Sequence, residues 1–266
     1  MNADNSIPIA SLAGKTAMVT GSSSGIGRAI AVSLAQHGVN TVIHCRRESE
    51  KIRAVQSEIK KLGVDCHVVF QDFFDAPDWD AMVADAWNWK GSVDFWINNA
   101  GGDVLTGTWP AQSFEDKLKF LWQVDVNSTL MLSRRAGSKM SEHFSEAGQG
   151  VILNMGWDQA WQGMEGDSGE LFSTTKGAIM AMTKSLAHSL SPTVRVNCIA
   201  PGWIKTEWGE QASDYWSQRA TQDSLMERWG SPADIAGVAL FLCSPAASFI
   251  SGQIIPVNGG FNNNSD

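Results

Sequence analysis

Phe172 and Lys176 are one helical turn apart in a stretch, FSTTK, that is predicted to be helical. Side chains four residues apart share one face of a helix, so both are expected on one side of it. An aromatic side chain acts as an acid or base only if its ring carries an ionisable proton. Phenylalanine has the ring without that proton. Of the two side chains, Lys176 alone can therefore give or take a proton.

A glycine-rich turn near the N-terminus is predicted to bind phosphate. The residues Thr20 to Gly27, TGSSSGIG, lie between an apolar strand, 15–20, and a helix, 26–37. Glycines allow a tight turn and let backbone amides approach a pyrophosphate, and the helix N-terminus adds partial positive charge. Because a strand precedes the turn and a helix follows it, the segment indicates a dinucleotide site rather than a plain loop.

Short apolar strands alternate with helix-like stretches along nearly the whole chain. The predicted strands are 15–20, 41–45, 66–70, 93–97, 151–154, 194–199 and 254–257. The predicted helices are 26–37, 48–62, one with Asp75 as its N-cap, 114–145, 171–190 and one that begins at Ser231. Such alternation predicts a parallel sheet covered on both faces by helices. We predict one α/β domain over residues 1–266, with a core of about 12–261.

The composition excludes several classes of protein. The chain has 266 residues, and its 28 acidic and 20 basic side chains give a net charge of −8, which disfavours nucleic acid as a partner. No apolar run is long enough for a membrane helix, and the polar residues 1–6 do not resemble a signal peptide, so a cytoplasmic location is expected. The four cysteines form no CxxC pair and the five histidines lack metal-ligand spacing, so no metal site is predicted.

Several motifs resemble those of the short-chain dehydrogenase/reductase family, in the branch of the β-ketoacyl-carrier-protein reductases. They are the turn from Thr20, NNAG at 98–101, Val126-Asn127, RVN at 195–197, Pro201-Gly202, and SGQ and NGG within 251–260. The resemblance implies a Rossmann-type, doubly wound parallel sheet of about seven strands, a nicotinamide cofactor, and a homodimer or homotetramer.

The resemblance also implies which residues bind the cofactor. It places Asp72 on the adenine amino group, although a turn or capping role is the ordinary alternative for an aspartate there. It places Thr206 near the nicotinamide carboxamide or the phosphates. The expected set is Gly21, Ser23, Ser24, Gly25, Ile26, Gly27, Arg46, Asp72, Asn98, Ala100, Gly101, Lys176, Pro201, Gly202, Ile204 and Thr206.

The end of the second strand bears on the choice between NAD and NADP. Enzymes that prefer NAD carry an acid there, which holds the ribose 2′-hydroxyl. Here Cys45 takes roughly the place of the acid, and Arg46 and Arg47 follow it. A guanidinium suits a 2′-phosphate, although the two arginines also fit the start of a surface helix. We predict NADP(H) in preference to NAD(H).

The family's chemistry uses an Asn, a Ser, a Tyr and a Lys. The Tyr transfers the proton, the Lys assists it and contacts the ribose, the Ser orients the carbonyl, and the Asn holds a water linked to the Lys. The resemblance assigns these positions, in the same order, to Asn127, Trp157 or Gly156, Phe172 and Lys176. Two of the four side chains therefore lack the expected oxygen.

Other groups must deliver the proton if the protein is an active enzyme. The candidates are Lys176, Asp158, Asp167, Glu170 and a water held by Asn127. The acids within 163–170 have an ordinary interpretation as solvated loop residues. The one tyrosine, Tyr215, lies in the expected substrate lid, about 203–225, and is expected to pack there.

Twelve tryptophans stand against that single tyrosine. Five fall in segments that surround the substrate pocket in the family: Trp157, Trp161, Trp203, Trp208 and Trp216. The others are expected in the core or at an interface: Trp79, Trp87, Trp89, Trp96, Trp109, Trp122 and Trp229. Aromatic rings on a lid often only pack against it, but this grouping favours an apolar or aromatic small-molecule substrate.

Three functions remain open. The first is an NADP(H)-dependent oxidoreductase for a carbonyl/alcohol pair with altered proton delivery. The second is a catalytically silent cofactor-binding protein, either a redox sensor or an inactive partner subunit. The third is a structural oligomer with a vestigial pocket, which the intact glycine turn and Lys176 disfavour. The frequency of enzymes in the family favours the first.

Overall fold

The computed structural model describes residues 12–146, 149–210 and 213–262, without the side chains of Trp208 and Glu210. Two predictions fall outside this part of the chain, namely the interpretation of residues 1–6 and the position of the Trp208 ring at the pocket. None of the described helices is long and apolar enough to cross a membrane.

Seven parallel strands of the described residues form one sheet in the order β3-β2-β1-β4-β5-β6-β7. The order reverses between β1 and β4, which confirms the predicted doubly wound topology. The strands are β1 Thr16–Val19, β2 Asn40–Cys45, β3 Cys66–Phe70, β4 Phe95–Asn98, β5 Gly150–Met155, β6 Val194–Pro201 and β7 Ile254–Val257.

Helices connect the strands and cover both faces of the sheet. The helices are α1 Gly25–Gln36, α2 Glu50–Lys61, α3 Trp79–Lys90, α4 Phe114–Leu121, α5 Ser128–His143, α6 Gln159–Gln162, α7 Gly166–Leu190, α8 Glu207–Glu210, α9 Asp214–Gln222 and α10 Pro232–Cys243. A π-helical turn, Trp122–Asn127, joins α4 to α5. One apolar core contains buried residues of α1, α2 and α10, and the other contains those of α3, α5 and α7.

Strands β1 to β6 contribute to both cores because successive side chains point to opposite faces of a sheet. On β2, Val42 belongs to the core under α3 and α5, whereas its neighbour Ile43 belongs to the core under α1 and α2. All four residues of β1 are buried, as expected for a parallel sheet with helices on both faces. The sheet is thus a rigid platform, and its C-terminal edge positions the residues that follow each strand.

Three elements differ from the expectations. The N-cap of α3 is Asp78, whose carboxylate accepts the Ala81 N–H at 2.9 Å, so the assignment of Asp75 was wrong. Helix α7 begins at Gly166 rather than at residue 171. The helix expected over 114–145 is interrupted by the π turn, which contains one more residue per turn than an α-helix and changes the face its side chains present.

Candidate active site

One cavity of about 1190 Å³ opens at the C-terminal edge of the sheet. It begins at the glycine turn after β1 and extends past the residues that follow β4, β5 and β6 to Trp216 on α9. This edge, next to the reversal in strand order, is where open α/β sheets bind their ligands. Fourteen of the sixteen residues predicted to bind the cofactor line it, and the exceptions are Gly25 and Asn98.

The glycine turn has the geometry of a phosphate cradle. Gly21 and Gly25 have φ angles of +63° and +55°, which favour glycine. A Cβ on Gly21 would lie 2.7 Å from the Ala100 Cα, so the backbone of the turn packs directly on the segment after β4. Ser24, the N-cap of α1, makes no side-chain capping hydrogen bond. The first amides of α1 are therefore available to an anion such as a pyrophosphate.

His44 at the end of β2 holds this turn and was not among the predicted site residues. Its Nδ1 accepts the Gly21 N–H at 3.2 Å, its Nε2 lies 3.0 Å from the Gln71 carbonyl oxygen, and its ring stacks on Phe73 at 4.5 Å. Burial lowers the pKa of His44 to about 4, because the charged imidazolium would lose its hydration. The neutral ring can therefore accept from Gly21. A polar residue between Ile43 and Cys45 in a buried strand was the available signal.

The side chains expected at the adenosine are near one another. Arg46 and Asp72 both line the cavity, with 3.9 Å between Arg46 Nε and Asp72 Oδ2. Asp72 Oδ1 accepts the N–H groups of Phe74 and Asp75, so this carboxylate also holds the turn after β3. The Arg46 side chain is 63% exposed, which leaves its guanidinium accessible to a ligand.

Asn98 does not line the cavity, and its assignment to the cofactor is corrected. Its Nδ2 donates to Ser133 Oγ and Asn154 Oδ1, and its Oδ1 accepts from the Trp96 indole, all within the buried core. It braces β4 against β5 and α5. The next residue, Asn99, lines the cavity instead, and its amide donates to the carbonyl oxygens of Thr20 and Gly21.

Lys176, Phe172 and Trp157 meet at the other end of the cavity. Phe172 and Lys176 project from one face of α7, as their spacing predicted, and Trp157 follows β5. The rings of Trp157 and Phe172 are 6.2 Å apart in an edge-to-face arrangement. Gly156 leaves no room for a side chain, since a Cβ there would lie 2.8 Å from Cys198 Sγ. Two packed apolar rings therefore line the same cavity as the lysine.

Asp125, not Asn127, is the residue of the π turn that contacts Lys176. The Lys176 Nζ lies 2.8 Å from Asp125 Oδ2, and Asp125 lines the cavity. The Asn127 amide instead donates to Gln123 Oε1 at 3.0 Å, and Asn127 is not among the lining residues. The π turn directs Asp125 rather than Asn127 toward Lys176 on α7, and the predicted role of Asn127 in holding a water stays a prediction.

The other candidate proton donors lie away from the cavity surface. Asp158 is buried, and its Oδ2 accepts from the Asn258 amide at 3.0 Å. Asp167 and Glu170 are exposed on the first turns of α7, and neither is a lining residue. Tyr215 is 59% exposed, with its hydroxyl 3.4 Å from an Arg219 nitrogen. From the segment 163–170, the cavity is lined by Met164 and Ser168.

Four of the tryptophans whose side chains the structure describes line the cavity. Trp157, Trp203 and Trp216 do so as expected, whereas Trp109 was expected in the core or at an interface. The rings of Trp203 and Trp216 are 5.5 Å apart, and Trp109 stacks on Phe120 at 4.1 Å. Trp161 is 54% exposed and does not line the cavity. Aromatic rings thus form a substantial part of the cavity lining.

Comparison with known proteins identifies the family. The family model described as Enoyl-(Acyl carrier protein) reductase matches residues 21–262. The 3-oxoacyl-(acyl-carrier-protein) reductase FabG of Aquifex aeolicus is 36% identical, with 94% of this chain and 98% of that protein covered. Dehydrogenase/reductase SDR family member 4 of Homo sapiens is 33% identical, with 94% and 88% covered. The chain belongs to the short-chain dehydrogenase/reductase family.

Solved structures of this family share the fold. A 7α-hydroxysteroid dehydrogenase complexed with NADH and 7-oxo glycochenodeoxycholic acid is 31% identical, with a TM-score of 0.83 and 96% of this chain and 97% of that chain covered. A short-chain dehydrogenase from Burkholderia cenocepacia J2315 in complex with NADP is 26% identical, with a TM-score of 0.83 and 94% and 98% covered. Homologues in this family are oxidoreductases that use nicotinamide cofactors, and this chain belongs to the same family.

The end of this cavity at α7 combines charged side chains with apolar rings. A cation, Lys176, and an anion, Asp125, line the same cavity as the packed rings of Phe172 and Trp157. The Asp125 side chain is 1% exposed and that of Lys176 is 14% exposed. Charges removed from water interact more strongly than charges on the surface. The arrangement can bind a polar group of a ligand and move a proton at the lysine nitrogen.

Proposed function

We propose that the protein is an NADP(H)-dependent oxidoreductase that acts on a carbonyl/alcohol pair and obtains its proton without a tyrosine. The observation that carries the proposal is the single cavity that joins the glycine turn to Lys176. The turn offers open helix amides to a pyrophosphate, and the lysine lies at the other end, beside the apolar rings. A ligand that extends along this cavity contacts both sites.

The cofactor supplies a hydride to the carbonyl carbon, or accepts one from the alcohol, when it is bound. The turn from Gly21 to Gly27 holds the pyrophosphate, and Asp72 faces the adenine in this proposal. Pro201, the last residue of β6, and Gly202 and Thr206 after it would lie along the nicotinamide half. All these elements end at the same edge of the sheet, so rigid strands set their positions.

Lys176 is the proton donor that the geometry favours among the candidates. It lines the cavity and carries N–H groups, whereas the candidate acids Asp158, Asp167 and Glu170 do not line it. Phe172 contributes the ring wall and no proton. Proton transfer by a positioned side chain is typically worth about 10²–10⁴-fold in rate, and hydride transfer depends mainly on orientation.

The substrate is an uncharged apolar or aromatic molecule in this proposal. Trp157, Phe172, Trp203 and Trp216 line the end of the cavity beside Lys176. Aromatic walls with few polar groups select flat apolar ligands. The structural neighbour that holds a 7-oxo bile acid derivative provides a precedent within the family for a bulky polycyclic ketone.

Arg46 supports the preference for NADP(H). Its guanidinium is exposed at the cavity beside Asp72, and β2 ends in Cys45 rather than in an acid. The Cys45 thiol donates to the Arg47 carbonyl oxygen, and burial raises its pKa, so it supplies no negative charge at the ribose. A 2′-phosphate placed there meets a cation and no fixed anion of β2.

The protein is also proposed to be cytoplasmic and to assemble as a homodimer or homotetramer. Both properties are taken from the family. Sedimentation at micromolar concentration measures the assembly, and a monomer would contradict it.

Cofactor binding and turnover test the proposal together. Energy transfer from the cavity tryptophans to NADPH gives dissociation constants for NADPH and NADH, with Arg46→Ser as the variant that should lose the preference. NADPH oxidation is then followed with ketoacyl thioesters and with polycyclic aromatic ketones. We expect tighter binding of NADPH, and turnover of the apolar ketones that Phe172→Tyr does not improve.

The alternatives predict different results. Binding of NADPH without turnover, followed by a gain of turnover in Phe172→Tyr, would support a catalytically silent cofactor-binding protein. Tighter binding of NADH would overturn the cofactor preference. If neither nucleotide binds, the proposed function fails.

A further inference from the structure

Asp125 is a buried carboxylate at the substrate end of the cavity. Its Oδ1 accepts the Gly102 N–H at 2.6 Å, which fixes the carboxylate to the segment after β4. Its Oδ2 lies 2.8 Å from Lys176 Nζ but makes no aligned hydrogen bond with any described residue. The contact is therefore an ion pair, in which the carboxylate compensates the charge of the ammonium and Oδ2 keeps acceptor capacity.

The surroundings hold this pair together and keep other charges away. Gly101 packs on it, since a Cβ there would lie 3.2 Å from Asp125 Oδ2 and 3.4 Å from Lys176 Nζ. The Cys198 thiol on β6 is close enough for the charge of Lys176 to act on it, and burial raises the pKa of this thiol to about 12, so it stays neutral. Phe172, one turn before Lys176 on α7, adds only an apolar ring. Asp125 is thus the compensating charge that the structure provides for Lys176.

We propose that Asp125 is a positioning residue that keeps Lys176 in its charged form and fixes its nitrogen at the place of proton transfer. The inference rests on the proposed function in one respect, namely that Lys176 is the donor. A buried lysine without a counter-charge favours the neutral amine, which has no proton to give to a developing alkoxide. The Asp125 carboxylate reverses that preference.

Lys176 and Asp125 account for every proton and charge in this transfer. As the hydride reaches the carbonyl carbon, one N–H bond of the Lys176 ammonium breaks and an O–H bond forms on the carbonyl oxygen. Lys176 becomes a neutral amine, and solvent returns a proton to it after product release. Asp125 remains a carboxylate throughout. In the reverse direction, the neutral amine takes the alcohol proton and Asp125 stabilises the ammonium that forms.

Acetylation of lysines by acetic anhydride tests the charge pairing without requiring turnover. Only the neutral amine reacts, so the yield at Lys176 against pH, read by peptide mass spectrometry, reports its protonation. In Asp125→Asn, we expect Lys176 to react about tenfold faster or more near pH 8, because an opposite charge at this distance has that influence. Lys184, exposed on the same helix, is the internal standard and should react equally in both proteins.

Two further variants distinguish the loss of the Asp125 charge from a general change in the fold. Asp125→Glu keeps the carboxylate and should retain part of the protection of Lys176. Glu170→Gln removes an exposed acid from the same helix and should leave the reactivity of Lys176 unchanged. Equal reactivity of Lys176 in wild type and Asp125→Asn would overturn the inference, provided that Lys184 shows both proteins to be folded alike.

The pH profile of kcat tests the role in proton transfer. In Asp125→Asn, kcat should fall by about tenfold or more at pH 8, and its alkaline limb should move to lower pH. An unchanged profile in Asp125→Asn would overturn the positioning role. A wild-type protein that binds NADPH but reduces no ketone would overturn the proposed function, whereas protection of Lys176 by Asp125 would still support the pairing. A loss of activity in Asn127→Ala but not in Asp125→Asn would also overturn the inference.

Discussion

Replacing Asp158 by asparagine should stabilise the protein at neutral and alkaline pH. Asp158 follows Trp157 in the segment after β5 and is 4% exposed. Burial raises its pKa from 3.8 to about 6, the hydrogen bond from Asn258 opposes this in part, and the charge of Asp223 adds to it. At this position the folded protein therefore favours the neutral acid over the carboxylate.

The sign and size of this change in stability follow from proton linkage. Since the folded pKa is higher than the unfolded one, the neutral acid stabilises the fold below about pH 4, and this contribution is lost as the pH rises through about 6. The shift from 3.8 to about 6 corresponds to about 3 kcal/mol of unfolding free energy. An asparagine resembles the neutral acid at every pH. Asp158→Asn should therefore gain up to about 3 kcal/mol at pH 8 and nothing near pH 4.

Urea unfolding at pH 8 and pH 4, at one protein concentration, measures this difference. The midpoint should rise at pH 8 with an unchanged slope, which indicates a change in stability rather than in the unfolded state. Glu170→Gln, which removes an exposed acid nearby, is the matched control and should change neither midpoint. A gain in stability that is independent of pH, or a loss of stability at pH 8, would refute the reasoning.

Three other substitutions or conditions test the cofactor end. Gly27→Ala should abolish NADPH binding measured by fluorescence, because a Cβ there overlaps the Gly21 carbonyl oxygen and the Asn99 amide. Asn98→Ala should lower the unfolding free energy by about 3 kcal/mol, since it leaves buried partners unsatisfied, but should leave the NADPH dissociation constant nearly unchanged. NADPH binding should weaken as the pH falls through about 4, because His44 then gains a proton on Nδ1 and can no longer accept the Gly21 N–H. Proton NMR of the His44 ring should give a titration midpoint at the same pH.

The strand order and the glycine turn could be predicted because local pattern determines them. Buried apolar runs such as β5 have few alternatives in a parallel sheet, and the turn from Gly21 to Gly27 requires positive φ angles that the glycines provide. The i and i+4 relation of Phe172 and Lys176 depends only on α7 being a helix. Predictions of this kind need no knowledge of which residues meet across the fold.

The position of Asp125 could not be predicted from a regular helix alone. The π turn that directs it to Lys176 depends on how 122–127 packs against α7, which is a tertiary contact. One signal was present in the sequence. Asp125 lies on the helical stripe of Leu121, Ser128 and Leu132, all of them buried, and a charged residue on such a stripe requires a partner. The Val126-Asn127 motif instead indicates Asn127, which lies two residues after Asp125.

The absence of a tyrosine and the presence of Asp125 affect the same lysine, so their effects should not be additive. A phenol introduced by Phe172→Tyr would share Lys176 with a carboxylate that already holds it, and the single variant should gain little turnover. In Asp125→Asn the neutral lysine no longer supplies a proton, and the phenol of Phe172→Tyr should then supply it and raise kcat by about tenfold relative to Asp125→Asn alone. Asp125→Asn should therefore lower kcat when residue 172 is Phe and change it little when residue 172 is Tyr. Steady-state kinetics of the four proteins measures this difference, and independent effects of the two substitutions would mean that Asp125 does not control the charge of Lys176.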